Sequence, residues 1–314
     1  MLSSLVEDEI AGDPQSGRLW IRRSLRRLQA ALSKRQVLLS PQTIRRLLRK
    51  KDITPKSNQK RLVKTPHQDR DLQFQYILSQ RKAFQAAGWP IISVDTKKKE
   101  LIGPFKNAGQ VWCETPQSVL MHDFPSDGIG KAIPYGIYDV LQNLGYVYVG
   151  ASAETPEFAV DAIVRWWSQA GVRRYPGALE ILILVDGGGA NGYRPRRWKQ
   201  QLQIRLADGY ELTVTVCHFP PGASKWNPIE HRVFSEITKT WQGTPLTSFE
   251  VLIDGIRATK TQGGLKVRAT RMKKTYEKGL KVSDEEMATL AIEKHDTCPN
   301  WNYTIRPRKT KSNF

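Results

Sequence analysis

The sequence is poor in cysteine, in long apolar runs and in acidic side chains, and each shortage excludes a class of protein. Only Cys113, Cys217 and Cys298 occur among its 314 residues, and their wide separation does not match zinc-site spacing. So few cysteines are typical of the reducing cytoplasm, where we expect this protein to act. No apolar run reaches the ~18 residues of a membrane span, and residues 1–13 lack the basic and apolar character of a secretory signal.

The shortage of acids leaves a strongly basic chain, with 49 Lys and Arg against 30 Asp and Glu and a formal net charge of +19. The imbalance is concentrated in residues 18–70, which hold 17 basic side chains against Asp52 and Asp69 alone. A basic block of this density is typical of a protein that binds a polyanion. A solvated basic helix or a polybasic tail is the alternative, but this block also contains helical periodicity.

Two short helices are predicted within the basic block. Apolar residues recur mostly three or four positions apart from Leu19 to Leu32, which predicts one buried helix face. Ser40 and Pro41 predict the start of a second helix, because Ser is a favourable N-cap and Pro fits the first helical position. Two such helices joined by a brief segment favour a helix-turn-helix, although a generic helical hairpin would have the same pattern.

The second helix, from Pro41 to about Lys51, would lie in a major groove of DNA. The side chains predicted to read bases or contact phosphates are Gln42, Thr43, Arg45, Arg46, Arg49 and Lys50. Residues 53–67 are polar and basic and include Pro55 and Pro66, which is typical of a linker lying on phosphates. We therefore expect a helix-turn-helix DNA-binding domain and basic linker over residues 1–66, and a second domain over residues 67–314.

The second domain has the pattern of a mixed α/β sheet. Hairpin-type strands come first, and helices then alternate with strands, so we predict a ribonuclease-H-like sheet with helices on both faces. The predicted strands lie at residues 91–95, 102–105, 111–112, 146–149, 181–186 and 211–217. The predicted helices lie at residues 70–87, 155–167, 196–206 and 227–241.

Three acids stand at the ends of these elements. Asp95 and Asp186 each end an apolar strand, and Glu230 opens a helix. A carboxylate at the end of a buried strand is costly unless it is exposed, paired or bound to a cation. In the predicted topology the strands of Asp95 and Asp186 are adjacent, and Glu230 follows far enough along the chain to reach the same sheet edge. We predict that the three acids bind two Mg²⁺ or Mn²⁺ ions, which would support phosphodiester cleavage.

Each acid also has a simpler interpretation. Asp95 could begin a turn into the lysine run that follows it, Asp186 could cap a glycine-rich turn, and Glu230 could form a capping box with Asn227. Residues 187–192 match the dinucleotide fingerprint G-x-G-x-x-G, with Asp208 about twenty residues on. That interpretation is disfavoured, because Asp186 would repel a pyrophosphate and Asp208 lies in a predicted turn rather than at a strand end.

Basic side chains flank the acids in the sequence. Lys97 and Lys98 follow Asp95, and Lys225 and Arg232 lie on either side of Glu230. We predict that these four side chains contact DNA. Trp226 could stack on a displaced strand, or it could equally be an ordinary core residue.

Longer runs of residues carry a resemblance that covers nearly the whole chain, from about Leu5 to Ile305. They are ISVDTKKKEL at 92–101, FKNAG at 105–109, HDFP at 122–125, GKAIPYG at 130–136, DGGG at 186–189, CHFPPG at 217–222, SKWN at 224–227, IEHR at 229–232 and WNYTI at 301–305. In these runs the chain resembles the Rhodopirellula-type insertion-sequence transposases of the DDE class. Runs of this length are far more specific than the three acids alone.

The resemblance implies a catalytic triad of Asp95, Asp186 and Glu230 that cuts transposon ends with divalent metal and joins the freed 3′-OH to target DNA. We expect the protein to act as a homo-oligomer on DNA, associated with the bacterial nucleoid. Family members usually carry more sequence before the first helices, so we expect a shortened copy in which end recognition is more affected than catalysis. The rival interpretations are a catalytically silent DNA-binding remnant and a dinucleotide-dependent oxidoreductase.

Overall fold

A computed structural model gives the fold of the chain. It describes the backbone of residues 10–12 and 19–21 and describes residues 24–55 and 67–308 in full. The chain divides into two compact units, Met1–Leu62 and Val63–Phe314. The predicted linker at residues 53–67 falls mostly on residues 56–66, which are outside the described residues.

The first unit contains a short hairpin and two helices. Strands β1 (Ile10–Gly12) and β2 (Leu19–Ile21) pair antiparallel, and helices α1 (Leu25–Lys34) and α2 (Pro41–Arg49) follow. The prediction of helix from Leu19 onward is therefore wrong for its first turn. Leu19 and Ile21 of β2 lie two apart, which is the strand period. The helix begins only after Ser24, whose Oγ accepts a hydrogen bond from Arg27 N at 3.3 Å.

The start of α2 is confirmed. Ser40 is the N-cap, with its Oγ accepting from Thr43 N at 3.1 Å, and Pro41 occupies the first helical position. The two helices bury a small apolar cluster between them, made of Leu28, Leu32, Ile44 and Leu48. Their contact leaves the arginines of α2 on the outside of the unit.

The second unit is built on one large mixed sheet. The strands are β3 (Ile91–Thr96), β4 (Glu100–Ile102), β5 (Gly130–Asp139), β6 (Leu144–Gly150), β7 (Glu180–Val185), β8 (Thr213–His218), β9 (Lys266–Arg271), β10 (Ile292–Lys294) and β11 (Asn302–Ile305). In the described part of the chain their order in the sheet is β10-β11-β8-β7-β3-β5-β6-β9, with β4 pairing on β5.

Five of these strands confirm the predicted ribonuclease-H-like topology. They lie in the order β6-β5-β3-β7-β8. The first of the five along the chain, β3, is therefore central, and the next two, β5 and β6, lie on one side of it. Strand β5 runs antiparallel to both of its neighbours, whereas β3, β7 and β8 run parallel. The parallel strands bring their carboxyl ends to the same edge of the sheet.

Helices cover both faces of the sheet. Helices α4 (Pro156–Trp166) and α5 (Arg196–Leu202) pack on one face over the largest apolar cluster. The other face is covered by α3 (Arg70–Ala86), α6 (Ser235–Trp241) and α7 (Phe249–Arg257). A short helix, α8 (Asp284–Ala288), precedes β10. Across the described residues, no helix has the length and apolar character needed to cross a bilayer.

The strand predictions before β6 were partly wrong: the strand predicted at 102–105 is β4, Glu100–Ile102, and β5 was not predicted. Residues 111–112 are not in a strand, and the long strand of this region is β5. Pro134 and Gly136 within β5 are unfavourable residues for a central strand, which is why the pattern does not predict it. The Pro134 carbonyl accepts a hydrogen bond from Lys97 N at 2.9 Å, just past the end of β3.

Candidate active site

Asp95 lies near the end of the central strand. The preceding residues of β3 are buried, and Asp95 is half-buried, with its Oδ1 accepting from Thr96 N at 2.7 Å. Across the ladder Asp95 faces Gly136 of β5. The buried Oγ of the neighbouring Thr96 has no hydrogen-bond partner among the described residues. The strand therefore holds the first acid at the sheet edge, beside an unsatisfied hydroxyl.

Asp186 follows the neighbouring parallel strand directly. Val94 of β3 pairs with Val185 of β7, so the next residue of each strand is an acid at the same level of the sheet. Asp186 is half-buried, and its Oδ1 accepts a hydrogen bond from Asn227 Nδ2 at 3.2 Å. The prediction that the topology makes Asp95 and Asp186 neighbours is confirmed by this register.

Glu230 opens a π-helical turn, Glu230–Phe234, that leads into α6. The turn packs against β5 at Gly136, the residue opposite Asp95. A Cβ built on Gly136 would lie 2.5 Å from Phe234 Cε1 and 2.7 Å from Ile229 Cδ1. Only glycine permits such a close approach, so Gly136 lets the segment carrying Glu230 reach the level of Asp95.

The capping-box alternative for Glu230 is not formed. No side chain caps this turn, and the Asn227 side chain points instead to Val94 and Asp186. His231 contacts the Lys225 carbonyl through its Nε2, so its ring closes the local turn. The carboxyl of Glu230 is therefore free of a capping role.

Burial and neighbouring charges perturb the two aspartates. Burial, together with the charges of Asp186 and Glu230, raises the pKa of Asp95 to about 8 against a lowering hydrogen bond from Thr96. The Glu230 carboxyl is close enough to Asp95 to share a hydrogen bond with it. Burial also raises the pKa of Asp186 to about 6, with the Asn227 amide opposing the shift and Glu230 adding to it. Such mutual repulsion is what a bound cation would relieve.

The donor set fits a hard divalent cation. Three carboxylates offer oxygen ligands only, which suits Mg²⁺ or Mn²⁺ better than a softer metal. Among the described residues, however, no three His, Cys, Asp or Glu side chains already stand in the arrangement of a coordination sphere. Asp95, Asp186 and Glu230 could hold a cation by chemistry and proximity, with adjustment of their side chains.

A cavity of about 550 Å³ opens beside Asp186. Its lining includes the glycine loop after β7, Tyr193 and the turn after β8 at residues 220–222. The loop folds on itself, because a Cβ on Gly192 would lie 3.0 Å from Gly187 O. Helix α5 begins only at Arg196, and Asp208 pairs with Arg308 at 2.6 Å rather than ending a strand. This geometry does not fit the dinucleotide interpretation.

The basic residues predicted near the acids lie in two different environments. Lys98, Lys225 and Arg232 are exposed. Lys97 is buried: its Nζ lies 2.7 Å from Glu100 Oε1 and 4.7 Å from the centre of the Trp241 ring. The Lys97 ammonium is thus paired with Glu100 inside the protein. The structure does not support a contact between this side chain and a phosphate.

Trp226 lies at the edge of the site, with 53% of its surface exposed. Its ring meets Phe74 edge-on at 5.9 Å, and the Lys225 ammonium lies 5.5 Å from it. Trp226 is therefore only partly a core residue, because its ring packs on Phe74 while about half of its surface stays exposed.

The residues predicted to contact DNA on α2 form its outer surface. Gln42, Arg45, Arg46, Arg49 and Lys50 are exposed. Thr43 is half-buried, and its hydroxyl lies 3.0 Å from Ser40 Oγ, so it takes part in the helix cap. Five of the six side chains are accessible to a partner.

The sequence pattern does not predict that Ser93, Gly136 and Asn227 contact the segments that carry the acids. The pattern predicts Asn227 only as a local cap, and nothing in it links Asn227 to Ser93. A buried serine within the apolar run of β3 was the available signal, because an isolated hydroxyl there needs a partner.

Comparison with known proteins gives one extensive match. A family model described as the Rhodopirellula transposase DDE domain matches residues 1–307. No curated protein sequence matches the chain.

The chain is also similar, at low identity, to solved structures, of which three are given. A Mos1 transposase paired-end complex with left transposon end is 14% identical, covers 79% of this chain and 66% of that one, and has a TM-score of 0.43. The Mos1 Strand Transfer Complex is 15% identical over 84% and 71%, with a TM-score of 0.45. A Mos1 mariner paired end complex with Mn is 15% identical over 78% of each chain, with a TM-score of 0.40. The chain thus spans about two thirds to four fifths of those proteins.

Proposed function

The chain belongs to the Rhodopirellula transposase DDE domain family, and from that premise we propose that it binds insertion-sequence ends and transfers them to target DNA. The reaction would begin with metal-dependent cleavage at each end. The freed 3′-hydroxyl would then attack a phosphodiester of the target. Family membership supports the DNA transposase function itself, and the chemistry of the site supports these individual steps.

One observation carries the proposal. Asp95, Asp186 and Glu230, drawn from three separate segments, come together at one edge of the sheet, where burial and the charge of Glu230 raise the pKa of both aspartates. Burying three acids together costs free energy unless they bind a cation. A purely structural role would not need three carboxyls at one place.

We assign the three acids to divalent-metal binding, with Mg²⁺ or Mn²⁺ in two positions. When bound, such ions activate the attacking oxygen and stabilise the leaving 3′ oxygen. Asp95 and Asp186 would provide ligands from rigid strand ends, and Glu230 would provide one from the π turn. The cavity beside Asp186 would give the scissile strand access to them.

The proposed DNA contacts lie in both units. The outer side chains of α2 would hold end DNA, with residues 1–66 acting as the helix-turn-helix domain and residues 67–314 as the catalytic domain. Lys98, Lys225 and Arg232 would contact phosphates near the acids, and Lys97 is left out because it is buried against Glu100. Phosphate contacts of this kind predict affinity that falls steeply as salt rises.

We further propose that the protein acts as a homo-oligomer on the cytoplasmic nucleoid. An insertion sequence has two ends that must be cut and joined together, and one set of three acids serves one strand at a time. Two copies of the chain would supply a site to each end.

The test is cleavage of DNA that carries the ends of the element encoding this chain. Wild-type protein should cut it with Mg²⁺ and not with EDTA, and Asp95→Asn should bind the same DNA without cutting it. Asp254→Asn is the matched control, since Asp254 is exposed on α7 and pairs with Arg257, three residues on, at 3.2 Å. DNA binding by the wild type without metal-dependent cleavage would support the remnant interpretation instead.

A further inference from the structure

Asn227 makes hydrogen bonds to the strand that carries Asp95 and to Asp186 itself. The residue is fully buried. Its Nδ2 donates to Val94 O of β3 at 3.1 Å and to Asp186 Oδ1 at 3.2 Å. These two bonds use both hydrogens of the amide, so this side chain connects the end of β3 to the acid that follows β7.

Ser93 completes the connection from inside β3. It is fully buried, and its hydroxyl donates to Asn227 Oδ1. The same Ser93 Oγ accepts from Ile229 N at 3.0 Å, immediately before Glu230. Every polar atom of the Asn227 amide is therefore satisfied, and the chain of bonds runs from Asp186 through Asn227 and Ser93 to the start of the π turn.

We propose that Asn227 and Ser93 are positioning residues for the metal site, an inference that rests on the proposed function. Asn227 orients the Asp186 carboxyl by donating to one of its oxygens, which leaves the other oxygen for a cation. Ser93 fixes the backbone at Ile229 and so sets where Glu230 begins. Two side chains thereby set the relative positions of the three acids.

A purely structural explanation accounts for less of this arrangement. The residues on either side of Ser93 in β3 are apolar, and an apolar residue at position 93 would fill the core without needing partners. Likewise a local cap would satisfy Asn227 without reaching Asp186. Both side chains instead form hydrogen bonds with the segments that carry the acids.

Loss of a partner that orients a metal ligand typically weakens metal affinity or activity about 10–100-fold. We therefore expect Asn227→Ala and Ser93→Ala to weaken Mn²⁺ binding by at least about 10-fold. Since the two residues act in one chain of bonds, the double variant should lose little more than Asn227→Ala alone.

The matched control is Asn302→Ala. Asn302 is also a fully buried asparagine in the sheet, and its amide donates to Gln73 Oε1 at 2.6 Å and to Thr297 O at 2.7 Å. None of its hydrogen bonds involves one of the three acids. It should therefore reproduce the loss of stability that comes from deleting a buried amide, without the loss of metal affinity.

The experiment measures Mn²⁺ binding to the purified full chain by electron paramagnetic resonance, thermal unfolding of each variant, and the Mg²⁺ concentration that half-saturates end cleavage. We expect Asn227→Ala and Ser93→Ala to weaken Mn²⁺ binding and raise the Mg²⁺ requirement, while Asn302→Ala lowers only the unfolding temperature. If Asn227→Ala does not fold, the smaller change Ser93→Ala carries the test.

Two failures are distinguishable. If the wild type neither binds Mn²⁺ nor cleaves, the proposed function is wrong and the positioning role is lost with it. If the wild type does both, and folded Asn227→Ala and Ser93→Ala match its metal affinity and Mg²⁺ requirement, the proposed function stands and the positioning role is wrong.

Discussion

The metal-free protein should lose stability as the pH rises through the range in which its clustered acids ionise. The folded-state pKa is about 8 for Asp95 and about 6 for Asp186, against an ordinary 3.8. The folded chain therefore holds protons that the unfolded chain has already released. For these two groups stability is greatest below about pH 4 and falls as the pH rises toward 8.

The size of the effect follows from the pKa of Asp95. At about 1.36 kcal/mol per pH unit, ionising a carboxyl of pKa about 8 between pH 6 and pH 8 lowers the free energy of unfolding by about 2 kcal/mol. Because the charges of Asp186 and Glu230 contribute to that pKa, the loss belongs to the cluster rather than to one side chain. In a unit of about 250 residues, such a loss lowers the unfolding temperature by about 5 °C.

The assay is thermal unfolding in EDTA at pH 6 and pH 8, compared among wild type, Asp95→Asn and Asp254→Asn. Asp95→Asn carries no charge to bury at the strand end, so its unfolding temperature should change much less between the two pH values. Adding Mg²⁺ at pH 8 should restore stability to the wild type, because an ion that binds only the folded state stabilises it. Parallel pH responses of Asp95→Asn and the wild type would refute this reasoning.

Three further outcomes are expected. Gly136→Ala should lower both the unfolding temperature and the cleavage rate, because a Cβ there would displace the π turn that carries Glu230. Lys97→Ala should lower the free energy of unfolding by about 2 kcal/mol, because its buried, charged hydrogen bond to Glu100 is lost, and DNA affinity measured by titration at raised salt should stay unchanged. Arg46→Ala should reduce the slope of log affinity against log salt by about 1 if Arg46 contacts a phosphate; an unchanged slope would exclude that contact.

The parts of the fold that depend on local pattern could be predicted from the sequence. The apolar runs before Asp95 and Asp186 predict buried strands, and their parallel pairing follows from the crossover between them. Ser40 and Pro41 predict a helix start because capping is a short-range interaction. Where neighbouring residues decide the structure, the pattern contains the information.

The rest depends on contacts between residues distant in sequence. Strand β5 contains Pro134 and Gly136, which disfavour a central strand locally and are accommodated only by the elements packed on them. Asn227 suggests a local cap, but its hydrogen bonds go to Ser93 and Val94 more than 130 residues earlier. Lys97 belongs to a basic run typical of a surface turn, yet it is buried against Glu100. Long-range partners override local preference in each case.

The central claim is that Asp95, Asp186 and Glu230 form one metal-dependent cleavage site. Its most direct test is Mg²⁺-dependent cutting of insertion-sequence end DNA by wild type and by the three single variants Asp95→Asn, Asp186→Asn and Glu230→Gln, with DNA binding measured alongside. We predict that each variant binds the DNA as the wild type does and that none releases a 3′-hydroxyl end. Cleavage at the wild-type rate by any one of the three would contradict the claim.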